Sequence, residues 1–215
     1  MNNQTVSIID IGVGNLFSIA NAFKRLHAIP QLITQPSDIF SSDHLILPGV
    51  GSFPHAMEKL YEKNFIECIG EYVQDPQKKL LGICLGFQLL GLSSTEVTAT
   101  KGLGYIPATV TRLSADPETT VPHIGFNSVR PNLSEQNSFL PYISSDNLDY
   151  YFVHSYCFSA QQISNFPPQA CYGLTYHGPN SFVSAYHCKN IFGTQFHPEK
   201  SQTNGLALFK NFLSF

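Results

Sequence analysis

At 215 residues, 43% hydrophobic and 13% charged, the chain can bury the core of one α/β domain of generous size, and a single domain over residues 1–215 is expected. A net charge of −3 without any Lys/Arg run argues against a nucleic-acid surface and leaves small molecules or other proteins as partners. The start, Met1 to Asp10, has neither a basic n-region nor a long apolar h-region, and no later stretch is apolar enough to span a bilayer, so no membrane association and a cytoplasmic location are expected.

Val6 to Asp10 is a short apolar run that predicts a first strand. Gly12-Val13-Gly14-Asn15 turns it into a helix with Leu16, Ile19, Ala20, Phe23 and Leu26 at helical spacing. A Gly-x-Gly after a strand invites a dinucleotide-binding reading, but the third glycine of that fingerprint would fall where the chain has Phe17. Gln31 to Thr34 and Leu45 to Leu47 predict the next two strands. The latter runs into Pro48-Gly49-Val50-Gly51-Ser52-Phe53, at a strand end where α/β proteins build sites; alone, this loop fits an ordinary turn as well as a ligand cradle. Helices are predicted over Pro54 to Glu62 and Phe65 to Gln74.

Lys79-Leu80-Leu81-Gly82-Ile83-Cys84-Leu85-Gly86-Phe87-Gln88-Leu89-Leu90 then reads as strand, sharp turn and a helix beginning at Leu85. The turn would display Cys84 at the carboxyl edge of the sheet rather than pack it, with glycines relieving the tight bend. Free amides at the start of the helix favour thiolate over thiol, which is what a nucleophile needs. By itself Gly-x-Cys-x-Gly is equally compatible with a buried cysteine in a strand. The other four cysteines, Cys68, Cys157, Cys171 and Cys188, are scattered without a Cys-x-x-Cys pair, so neither a disulfide framework nor a zinc site is expected and they read as core.

The alternation of β and α in the first half predicts a doubly wound sheet. From Gly104 onwards the chain offers short runs, Thr109 to Leu113, Val121 to Val129, Tyr150 to Tyr156, Ala170 to Tyr176, Phe182 to His187 and Ile191 to Gln195, separated by Gly, Pro, Asn and Ser. These predict a strand-rich, partly antiparallel half, closed by a helix over Gly205 to Phe212. The expected fold class is α/β, an open, mostly parallel twisted sheet flanked by helices.

A cysteine nucleophile needs a base, and the base an orienting group. Eight histidines compete. His197 follows an apolar strand and precedes Pro198-Glu199; in an extended segment residues two apart share a side, so Glu199 can lie beside the imidazole. Alone, His-x-Glu fits a surface pair beside a turn. With a displayed cysteine and a Gly-rich loop it makes a Cys84, His197, Glu199 triad.

Gly82 to Gln88, Pro48-Gly49-Val50-Gly51, Tyr151-Phe152-Val153-His154-Ser155-Tyr156 and Gln195-Phe196-His197-Pro198-Glu199-Lys200-Ser201 together resemble the class I glutamine amidotransferases, in that family's order from Ile9 to Phe212. Within the family they are similar to HisH, the glutaminase subunits of imidazole glycerol phosphate synthases. The resemblance implies a flavodoxin-like fold and hydrolysis of L-glutamine to glutamate and ammonia through a glutamyl thioester, with no metal and no cofactor. It implies a heterodimer with a (β/α)8-barrel, HisF-like cyclase/synthase that uses the ammonia to make imidazole glycerol phosphate and AICAR in histidine biosynthesis. A paralogous subunit supplying ammonia to a surface-sugar (N-acetyl sugar) amidotransferase is the alternative.

By the same resemblance Cys84 is the nucleophile, His197 the acid-base and Glu199 its orienter. Gly49, Gly51, Gln88, Glu96, Ser155 and Tyr156 match positions that hold glutamine. Asn15, Phe126, Tyr151 and Lys200 match the partner interface, with Gly125-Phe126-Asn127 standing where the family shows Gly-Trp-Asn. The backbone amides of Leu85 and of Val50 or Gly51 would form the oxyanion hole. Glycines on both sides of Val50 lead us to expect a peptide that flips when partner and acceptor bind.

Overall fold

The computed structural model describes residues 4–12, 14–132 and 149–215; Val13, inside the predicted first turn, lies outside them. The chain runs through β1 (Thr5–Ile9), α1 (Leu16–Arg25), β2 (Ile29–Ile33), a 3-10 turn (Pro36–Ser41), β3 (His44–Leu47), α2 (Phe53–Glu62), α3 (Phe65–Tyr72), β4 (Lys79–Ile83) and α4 (Leu85–Leu89). There follow β5 (Gly91–Ser94), β6 (Thr100–Lys101), β7 (Ile106–Arg112), β8 (His123–Ser128), β9 (Arg130–Pro131), β10 (Asp149–His154) and β11 (Tyr156–Ser159). A 3-10 turn (Ala160–Asn165), β12 (Cys171–His177), β13 (Asn180–Cys188), β14 (Ile191–Thr194), a 3-10 turn (Pro198–Lys200) and α5 (Gln202–Phe212) complete it.

The strands β2, β1, β3, β4 and β14 lie side by side, all parallel. Beyond β14 the sheet continues antiparallel through β13, β11 and β7, and β5 then joins β7 in parallel. Side-chain alternation sorts the core onto two faces. On β3, Leu45 and Leu47 pack with Phe53, Leu60, Phe65 and Ile69 of α2 and α3, whereas Ile46 belongs with Phe23, Phe209 and Phe212 of α1 and α5. Helices on both faces of a parallel sheet are the doubly wound arrangement the sequence pattern predicts.

Three departures matter for the site. The apolar run after Cys84 is helical only to Leu89, and Gly91–Ser94 returns as a strand on β7; an apolar run does not by itself tell helix from strand. The predicted strand Tyr150 to Tyr156 is broken at Ser155, whose carbonyl accepts from Leu113 N–H at 2.8 Å. Its first part, β10, pairs with β8 as a separate two-stranded sheet, and its second part, β11, enters the main sheet. Finally, Glu199 lies in a 3-10 turn and not in the extended segment expected from Pro198.

Candidate active site

Strands β3, β4 and β14 end together, with Leu47 opposite Gly82 and Thr194 opposite Ile83, so three carboxyl ends meet at Cys84. The chain turns there at once into α4. A Cβ on Gly86 would stand 1.8 Å from the Leu47 carbonyl oxygen, so only glycine lets the helix start so close to β3. Cys84 takes φ 53 and ψ −109, a strained corner for a residue with a side chain, and its N–H donates to Thr194 O at 2.7 Å. The first bond within α4 runs from Gln88 N–H to Cys84 O at 3.1 Å, leaving the amides of Leu85, Gly86 and Phe87 without an acceptor in their own helix.

Cys84 is not displayed openly, as expected from the turn, but is only 6% exposed. The end of β10 covers it: Sγ lies 4.0 Å from Val153 O and 3.8 Å from Gln195 Nε2. It remains on the wall of a cavity of about 340 Å³, also lined by Val50, Gly51, Gln88, Glu96 and His197. Leu85, Ser155 and Tyr156 complete the expected residues that line it. Gly49 does not: a Cβ there would meet Leu85 Cβ at 2.9 Å, so this glycine allows close contact with α4. Gly51, with φ 105, has open space around it, so of the two glycines flanking Val50 one is packed and one is free.

His197 leaves β14 with its N–H on Tyr151 O at 2.8 Å. Ser201 bridges the same two segments, donating to His197 O at 2.6 Å and accepting from Tyr151 N–H at 2.9 Å. The imidazole Nδ1 lies 2.7 Å from Glu199 Oε1, with the two side chains 4% and 1% exposed. A carboxylate can only accept, so Nδ1 carries the proton, and Nε2, buried and with no partner at hydrogen-bond distance among the described residues, is the other end of the ring. Burial works against a charged ring, but the Cys84 sulfur and the Glu199 carboxylate outweigh it and push His197 up to about 10.

Gln88 is buried and committed: Nε2 donates to Tyr156 O at 2.8 Å and to Gln195 Oε1 at 3.1 Å. Gln195, which heads the motif ending at Ser201 but carries no expected role, thereby links Gln88 to the sulfur. The signal was available, since an amide two residues before His197 on an extended run shares its side. Glu96 accepts from Phe53 N–H through Oε2 at 2.8 Å. His154 is part of the pocket wall, its Nδ1 2.9 Å from Tyr156 O and its Nε2 3.3 Å from His123 Nδ1. His123 Nε2 meets Asn127 Nδ2 at 3.2 Å. Asn127 Nδ2 can only donate and the Tyr156 carbonyl can only accept, so each imidazole between them accepts at Nε2 and donates at Nδ1, a neutral link of one directed chain. Burial, with the neighbouring histidines, holds His154 down to about 3 and His123 to about 4.

On the outer face Phe126 and Tyr151 face each other across β8 and β10, their rings 5.6 Å apart, and Lys200 Nζ stands 5.4 Å from the centre of the Tyr151 ring. Asn15 caps α1, its Oδ1 accepting from Ser18 N–H at 3.3 Å. Among the described residues no group of three or more His, Cys, Asp or Glu is placed to hold a metal ion, and no helix is long and apolar enough to cross a membrane.

Comparison with known proteins supplies the context for this geometry. The family model for class-I glutamine amidotransferase matches residues 7–214. The imidazole glycerol phosphate synthase subunit HisH 2 of Vibrio vulnificus (strain YJ016) is 41% identical, covering 98% of this chain and 94% of that protein. The subunit HisH 1 of Campylobacter jejuni subsp. jejuni serotype O:23/36 (strain 81-176) is 39% identical, covering 96% of this chain and 98% of its own. In fold, the PurLQS structure from Thermotoga maritima superimposes with a TM-score of 0.69 at 12% identity, covering 99% of this chain and 98% of that one.

Proposed function

The chain belongs to the class I glutamine amidotransferases, and we propose that within this family it is the glutaminase subunit of an imidazole glycerol phosphate synthase, a single glutamine amidotransferase domain working as a heterodimer with a (β/α)8-barrel cyclase/synthase. Relatives 41% and 39% identical over nearly the whole chain, both named as HisH subunits, support that assignment. A cytoplasmic setting goes with it, since thiols stay reduced there. The observation that carries the chemistry is a cysteine at a strained strand-to-helix corner sharing one cavity with a histidine whose other nitrogen is held by a buried carboxylate.

Reaction follows from these groups. The Cys84 thiolate attacks the side-chain amide carbon of glutamine, and the carbonyl oxygen becomes an oxyanion facing the amides of Leu85 and of Val50 or Gly51. Imidazolium His197 gives its proton to the nitrogen as the carbon–nitrogen bond breaks, and ammonia leaves. A neutral thioester now replaces the charged sulfur, which withdraws part of what kept His197 protonated. The neutral ring takes a proton from water, hydroxide adds to the thioester, and glutamate departs as the thiolate is restored. Gln88, Glu96, Ser155 and Tyr156 would hold the amino-acid end, and Phe126, Tyr151 and Lys200, already gathered on one face, would meet the barrel.

The test is mass spectrometry of the chain with its synthase after exposure to an electrophilic glutamine analogue. One adduct on Cys84, suppressed by excess glutamine, is expected. A Cys84 that stays unlabelled with the partner bound overturns the reading.

A further inference from the structure

One polar contact of the pocket has no part in the chemistry above: the bond from Phe53 N–H to Glu96 Oε2, 2.8 Å long. Phe53 opens α2, whose first amides need acceptors from outside the helix. Ser52 stands at the N-cap position with φ −95 and ψ 147, suited to capping, yet makes no side-chain cap bond, and no acid lies in the first turn of α2. The helix is capped instead by a carboxylate 43 positions further along the chain. Glu96 is itself braced, its N–H on Ser94 Oγ at 3.1 Å and its carbonyl accepting from Thr98 N–H at 2.6 Å.

What this cap holds is the end of the loop that carries Val50 and Gly51. At its start Gly49 is packed against Leu85 and Gly86; at its far side Gly51 has open space and φ 105. Only Ser52 separates Gly51 from Phe53. The direction of the Val50 and Gly51 amides is therefore set by two anchors, the Gly49 contact and the Glu96 bond. Glu96 also lines the cavity beside Cys84.

The geometry points to Glu96, already read as one of the residues that hold the amino-acid end of glutamine, as a positioning residue for the oxyanion loop: the same carboxylate that faces the pocket fixes Phe53, so that filling the pocket and aligning the loop are one event. The inference rests on reading the cavity as a site for a free amino acid with a side-chain amide. It differs from a simple substrate contact, which would alter only KM, and from a simple helix cap, which would alter only stability.

The experiment uses the complex with its synthase and measures kcat, KM for glutamine and Tm in the parent, Glu96→Gln, Glu96→Ala and the double variant Glu96→Ala with Ser52→Asp. The amide of Glu96→Gln can still accept from Phe53 N–H but has lost the charge, so KM should rise about 10-fold with kcat kept. Glu96→Ala should raise KM similarly and also lower kcat by about 10²-fold, the loss expected when one oxyanion donor is misplaced. An acid at position 52 offers the helix a local cap, so the double variant should regain kcat but not KM. Equal kcat in Glu96→Gln and Glu96→Ala overturns the inference, as does a double variant that regains Tm without kcat. If position 52 restores neither, the kcat contrast between the two single variants decides alone. A parent complex that releases no glutamate overturns the reading of the site itself, and this inference with it.

Discussion

His197 Nδ1 is bonded to Glu199 Oε1 at 2.7 Å inside a shell that leaves both side chains almost without solvent, and Nε2 is the other end of the ring. The carboxylate therefore does two things: it fixes which nitrogen carries the proton and it supports the ring's positive charge.

Glu199→Gln should keep the imidazole in place and lose the charge. Glutamine hydrolysis should fall on the order of 10²-fold, less than on removing the nucleophile. Because the Glu199 carboxylate is one of the groups that raise His197, the alkaline limb of the pH profile should move to lower pH. The same linkage affects stability: a pKa raised to about 10 stabilises the fold fully below the unfolded value of ~6.5, and that contribution is lost as pH rises through about 10. Urea titrations between these limits should show a flatter pH dependence in the variant; an unchanged slope and an unchanged rate profile would count against the role of Glu199.

His154 of the pocket wall and His123 beside it predict the opposite sign. His123 and His154 are held neutral at about 4 and about 3, so their contribution is present above the unfolded value of ~6.5 and is lost as pH falls toward those values. The groups facing them are His177, stacked on His123 with ring centres 4.1 Å apart, and His197. His123→Gln should show a shallower loss of stability on acidification than the parent. Matching urea midpoints for the two proteins across pH 6.5 to 4 would remove these rings from the account.

Gly86→Ala probes the corner on which Cys84 stands. Its added methyl would lie 1.8 Å from the Leu47 carbonyl, so β3 and α4 must separate. A loss of about 3 kcal/mol is expected, at the upper end of ordinary overpacking because the obstacle is backbone. Calorimetry showing an unchanged Tm would mean that the corner is looser than it stands here.

The strand-to-helix corner, the loop after β3 and the His197 and Glu199 pair were legible in the sequence because each is a local signal: a glycine spacing, a strand end, two residues bracketing a proline. Even there the local reading erred in manner, since Glu199 reaches the ring through a 3-10 turn. What was not legible depends on distant partners. Gln88 is held by Tyr156 and Gln195, 68 and 107 positions away, and Ser201 ties His197 to Tyr151 across the interval between β10 and α5. The burial of Cys84 under Val153 likewise follows from the break at Ser155, which no periodicity announced.

Coupling to the partner gives a further expectation. Lys200 follows Glu199 directly and stands over the ring of Tyr151, the residue whose backbone carbonyl accepts from His197 N–H, so a partner bound on that face would be one residue away from His197. Glutamate release should be low for the isolated chain and should rise ~10²- to 10³-fold with partner and acceptor substrate, the value of one oxyanion donor. Lys200→Ala should reduce the stimulation more than the basal rate. Equal rates alone, with partner, and with partner plus acceptor would rule out gating and leave the triad standing.

The most direct measurement of the central claim is synthase turnover by the Cys84→Ala complex with glutamine and, separately, with free ammonia. Removing the nucleophile abolishes the covalent route, so the glutamine-driven rate should drop on the order of 10³-fold or more while the ammonia-driven rate stays at the parent's level. A variant that still uses glutamine as well as the parent does would contradict the assignment of Cys84 and, with it, the chemistry derived from the site.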